Sequence, residues 1–170
     1  EDEDTQVGFG AGGLDLLAQE ILPDVEPELL QEMEVRFLAG AAVTDEGQAV
    51  SEAVIIPVPP DRLPAPLPED VNPGLVVSIQ APGASGFDRP VPFTFPNVDG
   101  YAPGSAVEIN SFDHDAGRWT VVATATVSAD GRRIESDPGQ GLLWPGWHFP
   151  APVRSGASTF EDRGLYVFDE

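Results

Sequence analysis

The sequence predicts a mainly β fold, an antiparallel β-sandwich with short helices at its N-terminal end. Three observations carry this expectation. Apolar residues fall in short runs, several of them alternating with polar residues as half-buried strands do. The runs recur at regular spacing. Pro-Gly, Asp-Gly and Ala-Gly pairs stand between them, the residue types that turns require. Many short strands joined by such turns make a sandwich or a barrel, and two small tandem β-subdomains divided near residue 98 fit the same pattern.

Residues 1–13 read as a solvated leader, four acids followed by Gly8, Gly10, Gly12 and Gly13. Residues 14–33 read as a short helical segment. Leu14, Leu17 and Ile21 form one stripe, Pro23 interrupts it, and Pro27 opens a second short helix through Leu30 and Met33. A first β-subdomain spans 34–97. Val35 and Phe37 alternate with Glu34 and Arg36, Asp45-Glu46-Gly47 is a turn, and residues 53–58 form a second apolar run. Residues 57–73 hold seven of the eighteen prolines. Proline has no ladder donor, so this stretch reads as an extended, semi-rigid connector lying over the surface.

Further strands are expected at 75–80 and 91–95, and in a second β-subdomain (98–170) at 106–111, 119–127, 133–136 and 165–168. Asp130-Gly131 between two of these is a strong hairpin signal.

The 170 residues are enough to bury a sizeable core, and the absence of cysteine excludes disulfides, thiol catalysis and cysteine metal sites. Asp and Glu total 29 against eight basic residues, all arginine, for a net charge of -21. Such a field repels nucleic acid and anionic membranes, so neither is expected as a partner. No apolar run approaches the ~20 residues of a membrane span, so no membrane insertion is expected. Opening on Glu1-Asp2-Glu3-Asp4, the chain reads as a mature product or an excised fragment.

Two groups of residues are candidates for chemistry. Asp113-His114-Asp115-Ala116-Gly117 resembles the opening of a calcium loop, with alternating oxygen ligands and a glycine turn. The twelfth position from Asp113 is Thr124, where that loop needs a bidentate glutamate. The segment is therefore read first as a hairpin turn in which Asp113 and Asp115 bond backbone amides. Asp99 and Asp130 are the further calcium ligands of a composite site, with Asp137 a third, if the fold brings their loops together. Trp144, Trp147 and His148 form the second group. The tryptophans flank a Pro-Gly turn and are expected to pack on the sheet, with His148 bonding a backbone group; a sugar-stacking platform is the alternative. His114 and His148, the only two histidines, are too far apart in sequence for a histidine metal pair.

A pattern runs from 90 to 149: Phe95-Pro96-Asn97, Ala102-Pro103-Gly104, a strand leading to Asp113, Gly117-Arg118-Trp119, Ser128-Ala129-Asp130-Gly131 and Gly146-Trp147-His148. It resembles a β-sandwich module of very long bacterial surface proteins, found there beside immunoglobulin-like or RHS-type repeats. Residues 35–96, with the late Phe87, Pro90 and Val91, are similar to the β-sandwich domain shared by zonula-occludens proteins and netrin receptors. Both resemblances imply an extracellular or cell-surface scaffold or interaction module and neither implies an enzyme. The second also draws attention to His148-Phe149, because related domains cleave themselves at His-Phe-Ser. That chemistry needs a hydroxyl or thiol after the phenylalanine, and Pro150 supplies neither.

The expected function is a non-catalytic structural or adhesive module of a larger secreted or surface protein, needing no cofactor. Its partners are neighbouring domains of the parent chain, other surface proteins or further copies of itself. A calcium-dependent protein- or glycan-binding module is the alternative, and a self-processing domain at His148-Phe149 the third reading.

Overall fold

The alternation of buried and exposed side chains that marks strands in the sequence is realised in a single antiparallel sheet. The computed structural model describes residues 5–9, 13–37, 46–47, 53–67 and 71–153. The strands are β1 (Thr5–Val7), β2 (Glu34–Phe37), β3 (Val54–Pro57), β4 (Val77–Gln80), β5 (Phe93–Pro96), β6 (Ala106–Asp113), β7 (Arg118–Val127), β8 (Arg133–Ser136) and β9 (Gly146–Pro152). Their order across the sheet is β1-β2-β5-β8-β7-β6-β9-β4-β3, every neighbouring pair antiparallel. The candidate strand at 165–168 lies outside the described residues.

The mainly β class is thus observed, but the hydrogen bonding describes one curled sheet, a half-barrel, where a two-sheet sandwich was expected. A division near residue 98 does not separate two sheets either. Strand β5 pairs with β8 and β4 pairs with β9, so strands from either side of residue 98 interleave. Strands β6, β7 and β8 form a meander, and β9 returns to lie beside β6, the strand order of a Greek key.

Curling is driven by burial on the concave face. Val35 and Phe37 near one edge and Ile55 at the other join Ile109, Ala123 and Ala125 at the centre in one apolar cluster. Helix α1 (Gly13–Ile21) follows edge strand β1 and packs against β3, the opposite edge, with Ala18 fully buried. It ends before Pro23, which disfavours helix in the residue preceding it. Helix α2 (Pro27–Leu30) uses Pro27 at its first turn and buries Leu30, leading into buried Met33. Large side chains such as Phe95, Ile109 and Ile134 are sealed from water, and each contributes about 1.5–3 kcal/mol of transfer free energy.

The leader reading of residues 1–13 needs correction. Thr5–Val7 pairs with β2, and Phe9 is buried in the main cluster. A three-residue strand between acids and glycines has too little alternation to register in sequence. Strand β9 also escapes a sequence reading, because Pro150 and Pro152 look like strand breakers. Being two residues apart, they turn their nitrogens to one side. The ladder to β6 runs through both, so its donors are the amides of Phe149 and Ala151. The proline nitrogens then face the β4 side, where pairing stops at His148.

A second, smaller cluster lies on the opposite face of the sheet. Val76, Phe149 and Ala151 are covered there by Val58, Leu63, Leu67 and Val71 of the proline-rich segment, together with Trp119 and Trp147. The segment includes a 3-10 turn (Pro60–Arg62) and lies over the sheet.

Gly141 marks a close approach between two backbones. Val91 and Leu142 exchange both hydrogen bonds at 2.9 Å, and a Cβ on Gly141 would stand 2.5–2.6 Å from Val91 backbone atoms. Gly141→Ala should therefore destabilise the fold by about 1–3 kcal/mol or more, read as a lower urea midpoint with the same slope. An unchanged midpoint would contradict this packing.

Candidate functional site

The β6–β7 hairpin carries a register shift between Ile109 and Asn110: Ile109 faces Ala123 and Asn110 faces Val121, leaving Val122 as an extra residue. A bulge of this kind bends the strand and re-aims what lies beyond it. What lies beyond is the turn at Asp113. Its Oδ1 accepts the amides of Asp115 at 2.9 Å and Ala116 at 3.1 Å, and Gly117 closes the loop in the left-handed region at φ 69.

This turn forms the lip of a cleft of about 800 Å³. Its floor is the end of the β4–β9 pair, where Ser78 faces Trp147 and Ile79 faces Gly146. One wall is the Trp144–Trp147 segment and the other is the loop at 81–85. Trp144 is fixed by its indole, whose Nε1–H donates to the Phe112 carbonyl at 2.9 Å. Gly146 has φ 108, a backbone conformation that favours glycine, and His114 Nε2 lies over it, 3.4 Å from where a Cβ would stand. His114 packs on Trp147 (5.4 Å between ring centroids) and edge-on to Phe112 (5.1 Å). Phe112 in turn meets Trp119 at 5.5 Å, and Trp119 meets Phe149 at 4.9 Å. The aromatic wall of the cleft is therefore continuous with the cluster beneath the proline-rich segment.

The fold thus joins Asp113 and Asp115 to Trp144 and Trp147, residues that sequence could single out only as two separate groups. His148 is separated from the tryptophans. In a strand successive side chains point to opposite faces, so Trp147 and Phe149 point one way and His148 the other. Val77, His148 and Ser111 lie side by side on β4, β9 and β6, facing the main core. Ser111 and His148 are both fully buried, and Ser111 Oγ stands 2.6 Å from His148 Nδ1. Nε2 has no hydrogen-bond partner among the described residues. Burial pushes the imidazole down to about 3, and the nearby Trp144 carbonyl, which favours the charged form, offsets only part of that. His148 thus has a side-chain partner in Ser111, and beside it the Trp144 backbone carbonyl, the kind of partner expected.

Asp99 and Asp130 are not brought to Asp113. Asp130 sits in the β7–β8 turn, and Asp113 precedes the other end of β7. Ten strand residues at about 3.3 Å each place these turns roughly 30 Å apart. Ser128 Oγ and the Arg132 amide both donate to Asp130 Oδ1, and these bonds lower its pKa. Asp99 belongs to the loop beside that same turn, because Asn97 Nδ2 donates both to the Tyr101 carbonyl and to the Gly131 carbonyl. Asp99 Oδ2 accepts the Gly74 amide at 3.1 Å. Burial, with Asp99 adjacent, raises the Tyr101 hydroxyl to about 12. Asp137 accepts the hydroxyls of Thr124 and Thr126 at 2.7 and 2.6 Å and so ties its turn to β7. Among the described residues no three carboxylate or imidazole groups converge on one point. The composite calcium site therefore does not assemble from the residues proposed for it.

No protein-family profile, curated protein or solved structure matches this chain. Its site is read from geometry alone.

Sequence reasoning missed the loop at 81–85 as a wall of the cleft. Its residues, Ala81 to Ser85, include no aromatic, charged or imidazole group that could have drawn attention. It also treated His114 only as half of a failed histidine pair.

Two outcomes follow from this geometry. His148 is held neutral in the fold, while the unfolded chain protonates it at its ordinary 6.5. Its contribution is whole above pH 6.5, falls as pH drops below that value, and levels off near 3. At pH 4.5 the loss should be about 3 kcal/mol by urea unfolding, and His148→Asn should flatten this dependence. Equal pH slopes in both proteins would contradict the assignment. Adding calcium or EDTA should leave the Tm unchanged; a rise with calcium would contradict the carboxylate geometry.

Proposed function

We propose that the chain is a non-catalytic recognition module of a larger secreted or cell-surface protein, meeting its partner through the cleft walled by the Trp144–Trp147 segment and the loop at 81–85. The observation that carries this reading is the convergence of aromatic rings and carboxylates on one concave surface. Binding sites concentrate apolar and aromatic lining with a few placed polar groups in this way, in cavities of about 300–1,000 Å³.

The burial of the Ser111–His148 pair supports the non-catalytic part. The Ser111–His148 pair has the elements of an activated hydroxyl, yet neither residue reaches solvent. His148-Phe149 lies inside β9, paired with β6 on one side, and is followed by Pro150. A self-cleaving peptide needs a nucleophile at that next position, and proline has none. The surface location follows from the resemblance of residues 90–149 to modules of large bacterial surface proteins. No described helix is long and apolar enough to cross a membrane.

The test applies the labelled chain to arrays of peptides and oligosaccharides. Retention on a subset is expected, and Trp144→Ala should weaken it roughly tenfold while leaving the Tm near that of the parent. Trp144 belongs to neither apolar cluster, so its loss should spare the fold. Undiminished retention by the variant would contradict the assignment. The intact mass should remain that of a single 18.0 kDa species on storage, and a cut after Phe149 would overturn the non-catalytic reading.

A further inference from the structure

We propose that the ligand of this cleft is cationic, an arginine side chain presented on a short extended peptide of a partner protein. The proposal rests on the cleft being the recognition site. Asp113 and Asp115 lie on its lining, and no arginine does among the described residues; the chain contains no lysine. Arg118 stands opposite Asp113 in the hairpin register but makes no ion pair with it among the described residues. Among the described residues the cleft is therefore a concave anionic surface without an arginine or lysine on its lining.

Its geometry suits a guanidinium. The Asp113 carboxylate is oriented before any ligand arrives, because one of its oxygens already holds two backbone amides. The Trp144 ring is likewise fixed by its bond to the Phe112 carbonyl, and Trp147 is braced by His114 and Phe112. A planar guanidinium stacks on an indole face and forks two N–H groups onto a carboxylate, using both kinds of lining at once. An ammonium is a compact, strongly hydrated charge and gains less from the ring. The net charge of -21 attracts cations at long range and repels phosphate, sulfate and uronic acids, so anionic ligands are disfavoured. At about 800 Å³ the cleft exceeds one guanidinium and leaves room for the flanking residues of a peptide.

The experiment titrates the isotope-labelled full chain with a blocked Gly-Arg-Gly peptide, the same peptide with glutamine in place of arginine, and a neutral oligosaccharide. The indole N–H resonances are the readout. Those of Trp144 and Trp147 should shift with the arginine peptide and not with the glutamine peptide. That of Trp119, which packs on the other side of Phe112 and does not line the cleft, should stay. Added salt should weaken binding, and Asp115→Asn should weaken it roughly threefold to fivefold without altering the Tm. Equal response to the glutamine peptide, or an Asp115→Asn affinity equal to the parent's, overturns the cationic assignment. A response to the oligosaccharide alone leaves the cleft as the recognition site and removes the arginine. No response of Trp144 or Trp147 to any of the three removes both.

Discussion

Strand β9 is the constraint on which the rest depends. It lies between β6 and β4, and through it the meander of β6, β7 and β8 is joined to the β3–β4 edge. Its two-residue period then assigns every side chain a role. Trp147 and Phe149 go to the outer face, where they meet Trp119, Phe112 and the proline-rich segment. His148 goes to the core beside Val77 and Ser111. A slip of one residue would place an imidazole in the cleft and a tryptophan in the core, so register here is strongly specified. The two prolines limit the strand on its β4 side and leave its β6 side fully paired.

The core tolerates His148 because Ser111 stands directly opposite it in that register. A buried polar group without a partner costs about 1–3 kcal/mol, and the Ser111 contact offsets this for Nδ1. The polar pair is therefore a stored cost inside an apolar sheet, held by burial of Phe95, Ile109, Ile134 and their neighbours. The acidic surface bears on function more than on fold. Ion pairs such as Arg133 with Glu135 at 3.3 Å are half-exposed and worth little.

Much of the fold was legible where alternation was local. Val35 and Phe37 announced β2, the Asp130-Gly131 turn announced the β7–β8 hairpin, and Pro23 and Pro27 divided the two helices. What was not legible was pairing at a distance. Nothing local shows that Ser78 faces Trp147, or that Phe93 lies beside Val35, and so one curled sheet was read as a sandwich. Strand β9 was hidden by its own prolines, whose effect depends on which side of the strand their nitrogens face. The candidate site was half legible for the same reason. Asp113, Asp115, Trp144 and Trp147 each stood out by residue type, but only the return of β9 beside β6 makes them one surface. Asp99 and Asp130 looked equivalent to Asp113 in sequence, and the length of β7 puts them at the other end of the sheet.

The cleft matters because its groups are fixed by bonds that no ligand has to make: two amides on Asp113, the Trp144 indole on Phe112, and glycine at 146 beneath His114. Such preorganisation is what lets a small concave surface bind without first reordering itself. The most direct measurement is a crystal structure of the chain grown with a blocked arginine peptide. The account predicts a guanidinium stacked on the Trp144–Trp147 wall within hydrogen-bonding distance of Asp113 or Asp115, with both tryptophans in the positions described. A peptide bound elsewhere, with the cleft left to solvent, would contradict it.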